Sequence, residues 1–355
     1  MAQINVRINE RCNLRCRHCF EGQRVTQDGI MSLTQFKKVA AYYREHGGFS
    51  DMTILGGEPS LHPDFLPILE YAALTYKNVN LDTNGQFHPS VIDSGIDTFR
   101  RLKHLTISLQ GSNALSHEMI SGRGTFKKAV HLASYAAKSV VRVNFNYTLM
   151  THNSSEADIR EIMELARKIS ATIKFRKFIR IGSGQRISHL YLSNVELGKR
   201  CAMIRNIAQE LGVTVRTPPV NTLKRYFCSL STKSSIYINH EGFINYCPIL
   251  TEILPDGSRI YSARFDYEKG KIIDSLSCNK ESEGYRFSEN SPSGCSADDF
   301  LNPEETRSPW YGIIFPNCCA DPMYDRNLQK HSVSAVQNAE KKVVDYPRQQ
   351  LQNTF

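Results

Sequence analysis

The chain has 355 residues, ten cysteines and a formal net charge of +9. This length allows a large core and predicts one main domain with a smaller one beside it. No stretch approaches the roughly 18 apolar residues of a membrane span, and no signal segment is recognisable, so we expect neither a membrane protein nor a secreted one. The cysteines are therefore expected to be reduced cytoplasmic thiols that bind metal, not a disulfide framework.

The first predicted element and the loop after it carry the main chemical signal. Residues 4–8 alternate between apolar and polar side chains, which predicts a strand. Cys12, Cys16 and Cys19 follow in the spacing C-x3-C-x2-C. Because a 4Fe–4S cube has four irons and full protein ligation takes four cysteines, three thiolates leave one iron open to a ligand from solution.

Zinc is the alternative occupant of this loop. Cys12, Cys16 and Cys19 with His18 would make a Cys3His zinc site. His18 and Cys19 are adjacent in the chain, which strains tetrahedral coordination by both, and no paired CxxC knuckle lies nearby. The spacing therefore favours the iron–sulfur interpretation.

Polar or glycine-bearing turns follow the later predicted strands. Such strand ends are where barrel-type folds place their chemistry. Glycine there lets the main chain approach a ligand closely because it has no Cβ. In chain order the segments are Gly56-Gly57-Glu58-Pro59, Asn84-Gly85, Ser108-Leu109-Gln110-Gly111, His117-Glu118 with Gly124-Thr125-Phe126, and 178–184.

In this order the segments resemble those of the radical S-adenosylmethionine (radical SAM) superfamily, in its SPASM/Twitch branch. The resemblance implies a 4Fe–4S cluster on the three cysteines, with SAM chelated to the open iron. Reductive cleavage of SAM then gives a 5′-deoxyadenosyl radical that abstracts hydrogen from a substrate carbon. The resemblance also implies a set of cofactor-binding residues, namely His18, Gly57, Glu58, Asn84, Ser108, Gln110 and Arg123.

Two positions depart from the family pattern. Gln110 stands where many relatives have Asp. The family usually has an Arg four residues after the His at position 117, but this chain has Ser121 there. We transfer the role of that arginine, pairing with the SAM carboxylate, to Arg123.

The coarse pattern alternates strands and helices. Strands are predicted at residues 51–55, 78–83, 104–109, 140–148 and 172–181, and helices at 33–46, 63–75, 89–101, 124–137, 154–168 and 194–211. This alternation predicts an α/β fold with a parallel sheet and right-handed crossovers. The resemblance implies a partial (β/α)6 TIM-type barrel. Cys201 falls on the apolar face of the last helix and is expected in the core.

Beyond residue 220 the pattern changes to a hairpin between two cysteines. Two predicted strands flank the turn 240–242, with Cys228 before them and Cys247 after them. This arrangement resembles the opening of the SPASM and Twitch domains, which implies an auxiliary 4Fe–4S cluster on Cys228 and Cys247. The implied domains are the radical SAM core at 1–215, the auxiliary-cluster domain at 216–328 and a tail at 329–355.

The remaining ligands of an auxiliary cluster are left open by the sequence. The candidates are Cys278, Cys295, Cys318 and Cys319, of which we assign Cys295 and Cys318 to metal. Adjacent cysteines rarely both bind one cube, so Cys319 is assigned as a catalytic thiol that returns a hydrogen atom to a substrate radical.

Two classes of function fit these features. The first is modification of a peptide by epimerisation, cross-linking or oxidation, although the chain starts at the first strand and leaves no room for an N-terminal leader-binding domain. The second is a radical dehydrogenase or epimerase of an aminocyclitol, sugar or nucleotide. A non-enzymatic iron–sulfur protein is a more remote third. A flavodoxin or ferredoxin is the expected reductant, since its acidic surface suits a basic rim, and nucleic acid is not an expected partner.

Overall fold

The structure is a computed structural model that describes residues 3–22, 28–46, 48–218, 235–245, 259–261, 263–274 and 285–287. The helices are α1 (Leu33–His46), α2 (Phe65–Thr75), α3 (Ser90–Ser94), α4 (Ile96–Arg101), α5 (Ala114–Ser121), α6 (Thr125–Lys138), α7 (Glu156–Lys168) and α8 (Asn194–Leu211). The first seven strands are β1 (Gln3–Arg7), β2 (Asp51–Leu55), β3 (Asn78–Thr83), β4 (His104–Leu109), β5 (Val143–Leu149), β6 (Thr172–Lys177) and β7 (Val215–Arg216). The later strands are β8 (Ser235–Ile238), β9 (Phe243–Asn245), β10 (Arg259–Tyr261), β11 (Ala263–Asp266), β12 (Lys271–Asp274) and β13 (Tyr285–Phe287).

Strands β1 to β7 form a parallel sheet in chain order. Every neighbouring pair from β1–β2 to β6–β7 is parallel. One or two helices lie between each strand and the next in the chain. The predicted α/β class with a parallel sheet is therefore confirmed, and all seven strands deliver their carboxyl ends to one edge.

The hairpin after residue 234 joins the same sheet. Strand β8 pairs in parallel with β1, and β9 returns antiparallel to β8. Strands β11 and β12 continue antiparallel beyond β9, so the sheet is mixed. The predicted hairpin is present, and it abuts the strand that leads into the cysteine loop. The three domain boundaries stay predictions.

Some element boundaries differ from the sequence pattern. The helix predicted at 89–101 is divided into α3 and α4 at Gly95. Strand β5 begins at Val143 and β6 ends at Lys177, not at 140 and 181. Helix α5 was not predicted; it begins at a capping box between Asn113 and Ser116. A sequence search that accepts only Ser or Thr as the first residue of a capping box misses this one, in which Asn113 pairs with Ser116.

The two faces of the parallel sheet differ in polarity. The outer face is apolar and packs against the helices in one core, with residues such as Val6, Ile54, Leu81, Ile107 and Phe175 fully or almost fully buried. The opposite, inner face is polar along every strand from β1 to β6. Its members are Asn5, Arg7, Asp51, Thr53, Asn78, Asn80, Asp82, His104, Thr106, Ser108, Asn144, Asn146, Thr172, Lys174 and Arg176.

The inner face is enclosed by curvature of the sheet. Side chains on neighbouring strands hydrogen bond across it: the Asn78 amide donates to Asp51 (2.8 Å) and the Thr172 hydroxyl to Asn144 (2.8 Å). Asp82 on β3 and Lys174 on β6 are separated by three strand spacings and two residues of register. On a flat sheet they would lie about 16 Å apart, yet each shifts the pKa of the other. The strands therefore curl around a polar interior, as a partial barrel requires. No helix in the described ranges is both long and apolar enough to span a membrane.

Candidate active site

The three cysteines lie in one loop directly after β1. The thiols of Cys12, Cys16 and Cys19 are free and half-buried. The loop is tied to α5, because the N–H of Arg17 donates to the carbonyl of Ile120 at 2.9 Å. The Ser121 side chain, at the end of α5, hydrogen bonds to the Cys16 thiol. Ser121 is thus a neighbour of the cysteine loop. The sequence analysis identified it only as the position where the family usually has an arginine.

Burial sets the protonation state of these thiols. It raises the pKa of Cys16 to about 12, and the neighbouring thiols of Cys19 and Cys12 add to the shift. The pKa values of Cys12 and Cys19 are also raised by burial. Without metal the thiols are therefore protonated, and binding of a cationic metal centre must release protons.

The donor set fits a cluster better than a single zinc ion. No three Cys, His, Asp or Glu side chains in the described part of the chain are arranged around one metal ion. The three thiols are nonetheless close enough to influence one another. A 4Fe–4S cube binds its thiolates through several irons and does not need them to converge on one ion. Soft thiolates alone, without a completing ligand, suit such a cluster.

His18 is half-buried near two other histidines. Burial, together with repulsion from His117 and His152, lowers the pKa of His18 to about 4. Its Nδ1 atom has no hydrogen-bond partner among the described residues. A neutral imidazole with a free ring nitrogen lies in the loop, as expected of a group that contacts a ligand, and its assignment to the cofactor stays a prediction.

The double glycine after β2 supports the cysteine loop. The N–H of Gly57 donates to the carbonyl of Asn9 (2.9 Å), and the N–H of Glu58 donates to the carbonyl of Arg11 (2.8 Å). A Cβ on Gly57 would overlap the carbonyl oxygens of Glu10 and Arg11. The close approach that requires glycine here is therefore to the backbone of the cysteine loop.

The Glu58 carboxylate joins the ends of β2 and β3. Its Oε1 accepts hydrogen bonds from the N–H and hydroxyl of Ser60 (3.2 and 2.7 Å) and from the hydroxyl of Thr83 (2.8 Å). Its Oε2 accepts one from the N–H of Asn84 (2.7 Å). Glu58 is 0% exposed, and its pKa is raised by burial against these opposing hydrogen bonds. A carboxylate offers about four acceptor positions, so these bonds use most of its capacity.

Asn84 connects this junction to the first cysteine. Its side-chain amide donates to Oδ1 of Asn13 (2.8 Å) and lies 3.7 Å from Sγ of Cys12. Its own Oδ1 accepts from the N–H of Gln86 (3.0 Å). The predicted residues Gly57, Glu58 and Asn84 are thus brought together with Cys12 at the carboxyl ends of three adjacent strands.

A second polar junction holds the end of β4. Gln110 donates its N–H to Nδ1 of His117 (2.9 Å), and its carbonyl accepts from the amide of Asn153 (2.9 Å). The Gln110 side chain accepts from the N–H of Thr148 on β5 (3.3 Å). Gln110 therefore fixes the β4–β5 end through its own amide, and His117 and Asn153 are supporting residues that spacing alone did not reveal.

Two further predicted residues lie in different surroundings. Ser108 is on the inner face of β4, in register with Asn146. Arg123 is exposed in the turn between α5 and α6, flanked by glycines at 122 and 124 with positive φ of 101° and 74°. The structure thus brings Ser108 toward the enclosed face and leaves Arg123 on the surface, and both assignments stay predictions.

A buried charged group connects the loop to the C-terminal hairpin. Arg7 pairs with Glu21, and Glu10 is fully buried with both carboxylate oxygens lacking a hydrogen bond in the described ranges. His240, in the hairpin turn, places Nδ1 3.7 Å from Oε1 of Glu10. Its ring occupies the space that a side chain at Gly29 would need. The hairpin is therefore packed directly against the base of the cysteine loop.

The predicted auxiliary site cannot be placed in this geometry. Cys228, Cys247, Cys278, Cys295, Cys318 and Cys319 all lie outside the described residues. Cys201, by contrast, is fully buried in α8 within the core, as predicted.

A comparison with known proteins finds a family match over the part of the chain that contains this site. Residues 6–166 match the family model of the Radical SAM superfamily. This span contains β1, the cysteine loop and the ends of β2, β3 and β4. Residues 6–166 therefore carry a radical SAM domain on an α/β fold. Members of that superfamily use a 4Fe–4S cluster and SAM, and the three-thiolate loop of this chain lies inside the matched span.

Individual relatives cover different parts of the chain. Mycofactocin maturase MftC of Mycobacterium tuberculosis is 30% identical over 175 residues, which is 49% of this chain and 44% of the relative. The chain thus spans less than half the length of that relative. A probable GTP 3′,8-cyclase of Methanococcus maripaludis is 26% identical over 270 residues, 70% of this chain and 85% of the relative. The structure of Streptococcus suis SuiB bound to precursor peptide SuiA superposes with a TM-score of 0.60 at 15% identity, over 70% of this chain and 60% of SuiB.

Replacing Gly57 with alanine should disrupt the cysteine loop. The new Cβ would overlap two backbone carbonyls that cannot move without displacing residues 10 and 11. We expect Gly57→Ala to lower the melting temperature and the iron content after anaerobic reconstitution. Gly95→Ala is the control, because a Cβ there meets only the end of the Leu66 side chain as its nearest neighbour, at 3.0 Å. Equal iron content in the two variants would refute the supporting role of Gly57.

Replacing Glu58 with alanine should weaken SAM binding and also destabilise the fold. The change leaves donors of Ser60, Thr83 and Asn84 unsatisfied and releases the amide that faces Cys12. We expect a loss of about 1.5–3 kcal/mol in SAM affinity, or more than about tenfold. Anaerobic equilibrium binding measures the affinity and thermal unfolding the stability. An affinity within twofold of wild type would remove Glu58 from the cofactor site.

Proposed function

We propose that the chain is a radical SAM enzyme that modifies a ribosomally made peptide by abstracting hydrogen from one of its residues. The observation that carries the proposal is a cysteine loop at the strand ends, above a polar and enclosed inner face. The similarity to a mycofactocin maturase and the fold shared with SuiB, solved with its precursor peptide, support a peptide as substrate. The modification is one of epimerisation, cross-linking or oxidation.

The residues have separable tasks in this proposal. Cys12, Cys16 and Cys19 hold the 4Fe–4S cluster, which with SAM supplies the radical that breaks a C–H bond. Glu58 and Asn84 fix the loop relative to β2 and β3. The further candidates for contact with SAM, on the basis of the family resemblance, are His18, Ser108, Gln110 and Arg123.

A nucleotide substrate is the second candidate. It is favoured by one specific observation, since the GTP 3′,8-cyclase relative aligns over 85% of its own length whereas the maturase aligns over 44%. The maturase has the higher identity, 30% against 26%. We rank the peptide first because the fold similarity to SuiB extends over 70% of this chain.

We also propose an auxiliary 4Fe–4S cluster in the C-terminal region. Support comes from the hairpin that the cysteine spacing predicted and from its position against the cysteine loop. Cys228 and Cys247 would bind this cluster with Cys295 and Cys318, and Cys319 would be the free thiol. A flavodoxin or ferredoxin would supply electrons, and the reduced thiols that such a cluster needs suit the reducing cytoplasm.

The test of the function is anaerobic turnover with a host peptide. The reconstituted enzyme is mixed with SAM, dithionite and peptides encoded beside its gene, and mass spectrometry follows 5′-deoxyadenosine and peptide mass. A mass change or an altered residue configuration in a peptide supports the proposal. Modification of GTP with no change in any peptide would replace it with the nucleotide alternative.

Alanine at Cys12, Cys16 or Cys19 should abolish 5′-deoxyadenosine formation, because no other thiolate is available to hold the cluster at this loop. The α/β fold should persist, since all three side chains lie outside the core. Cys201→Ala is the matched control: it removes a buried thiol from the same chain and should keep the activity. If the triple variant cleaved SAM at the wild-type rate, the assignment of these three residues to the SAM-binding cluster would be wrong.

Iron analysis should distinguish one cluster from two. We expect about eight irons per chain in the wild type and about four in the Cys12/Cys16/Cys19 triple alanine variant. A Cys228→Ala, Cys247→Ala double variant should keep the SAM-dependent cluster and make 5′-deoxyadenosine slowly, but fail to modify its peptide. A triple variant that binds no iron after reconstitution would show that the auxiliary cluster does not exist.

A further inference from the structure

The upper inner face of the partial barrel carries an excess of positive charge. Lys174 and Arg176 lie two residues apart on β6, so both point to the inner face, where Lys174 is half-buried and Arg176 is exposed. Arg216 on β7 is in register with Lys174 and shares that face. Asp82 on β3 is the acidic group that interacts with both β6 cations.

These cations are only partly satisfied by the protein. Arg176 donates from Nε to Oδ1 of Asn146 at 3.1 Å, which leaves its terminal nitrogens available. The Lys174 ammonium makes no hydrogen bond or ion pair within the part of the chain that is described, although it is only half-exposed. Lys103, in contrast, is paired with Asp51 at 3.2 Å. A half-buried ammonium without a partner is still costly, and an added anion would lower that cost.

The charges around Lys174 also favour the binding of an added anion. Burial lowers the pKa of Lys174 to about 8, and repulsion from Arg176, Arg216 and Lys103 adds to the effect of burial. Asp82 opposes this shift but is itself raised in pKa by burial and engaged by the Thr106 side chain. One carboxylate therefore does not neutralise the group, and the site as it stands is short of negative charge.

The cations lie within reach of the cysteine loop. Asp82 lies near the end of β3 and precedes Asn84 by two residues, a rise of roughly 6.6 Å. The Asn84 amide lies 3.7 Å from Sγ of Cys12. Across the sheet, Lys174 is in register with Asn146, which is in register with Ser108. A ligand that touches Lys174 and Asp82 would therefore lie directly below the loop.

We infer that Lys174 and Arg176 bind a carboxylate of the peptide substrate inside the partial barrel. The inference rests on the proposed function and specifies its substrate: a peptide with an Asp or Glu side chain, or its C-terminal carboxylate, close to the modified residue. The arginine presents a planar pair of donors that matches a carboxylate, and the lysine adds a mobile point charge. Asp82 is left to accept a hydrogen bond from a peptide N–H.

Protection of Lys174 from acylation tests this site without turnover. The full-length reconstituted enzyme is treated anaerobically with an N-hydroxysuccinimide acetate ester, and mass spectrometry gives the acetylation rate of each lysine. Lys168, exposed on α7, is the internal reference. The probes are N-acetyl-glutamate amide, N-acetyl-glutamine amide and N-acetyl-glutamine with a free carboxylate, with GTP as the phosphate probe.

We expect a carboxylate probe to slow acetylation of Lys174 by the factor 1 + [L]/Kd, about fivefold when the probe is at several times its Kd. Lys168 should be unaffected, and the neutral N-acetyl-glutamine amide should protect far less. The probe that protects identifies the source of the carboxylate, as a side chain or a chain end. The Arg176→Gln variant should lose most of the protection, whereas Arg167→Gln, an exposed arginine on α7, should keep it.

The outcomes separate this inference from the proposed function. Equal protection by the neutral and the acidic amides, or no protection by either carboxylate, would overturn the carboxylate site even if peptide modification is observed. Protection by GTP alone would overturn it and favour the nucleotide alternative. Because the measurement needs neither SAM cleavage nor a reductant, a failure of turnover leaves its result intact.

Discussion

The buried carboxylate of Glu58 is the interaction on which the site depends. It is fully buried, and it joins the turn after β2 to the end of β3 through Ser60, Thr83 and Asn84. Three separate strand ends are thereby fixed around the cysteine loop, since the N–H of Glu58 also holds the loop backbone at Arg11. Buried carboxylates of this kind are costly to leave unpaired, so the strand ends must come together for the carboxylate to be stable.

The glycine pair before Glu58 follows from the same constraint. The loop backbone packs so closely on Gly57 that no side chain fits, and this approach places Cys12 beside Asn84. A rigid connection of this type holds the cysteine loop on the sheet edge, where a functional site requires precise placement. The hairpin adds a second support from the opposite side, through His240 and the buried Glu10.

The polar inner face distinguishes this sheet from a parallel sheet that is covered by helices on both faces. Parallel strands covered by helices on both faces read as continuous apolar runs. Here every strand from β1 to β6 alternates, so only the outer face can be covered by helices. The polar interior is stabilised by side-chain hydrogen bonds between strands and carries charged groups below the cysteine loop. That interior suits a polar backbone such as a peptide.

The sequence was sufficient for features that depend on local spacing. The cysteine triad, the glycine pair and the strand–helix alternation are all periodic or contiguous signals, and the α/β class and most element positions followed from them. The polar alternation on the inner face was equally visible in the sequence, but its meaning requires knowing that consecutive strands are neighbours in one curved sheet.

Long-range side-chain pairing was not accessible from the sequence. The bonds from Glu58 to Thr83, from Ser121 to Cys16 and from Asn153 to Gln110 join residues that are 25 to 105 positions apart. Nothing in the periodicity of either partner indicates the other. The junction of β8 with β1 is of the same kind, because two strands more than 200 residues apart become neighbours only after the sheet has formed.

The central claim is that Cys12, Cys16 and Cys19 hold a cluster with one open iron that SAM binds directly. Electron–nuclear double resonance on the reduced enzyme tests it, with SAM labelled at its amino nitrogen and carboxylate oxygens. The account predicts hyperfine coupling of the cluster to both labels in the wild type and in Cys201→Ala. Bound SAM without coupling to either label would contradict it.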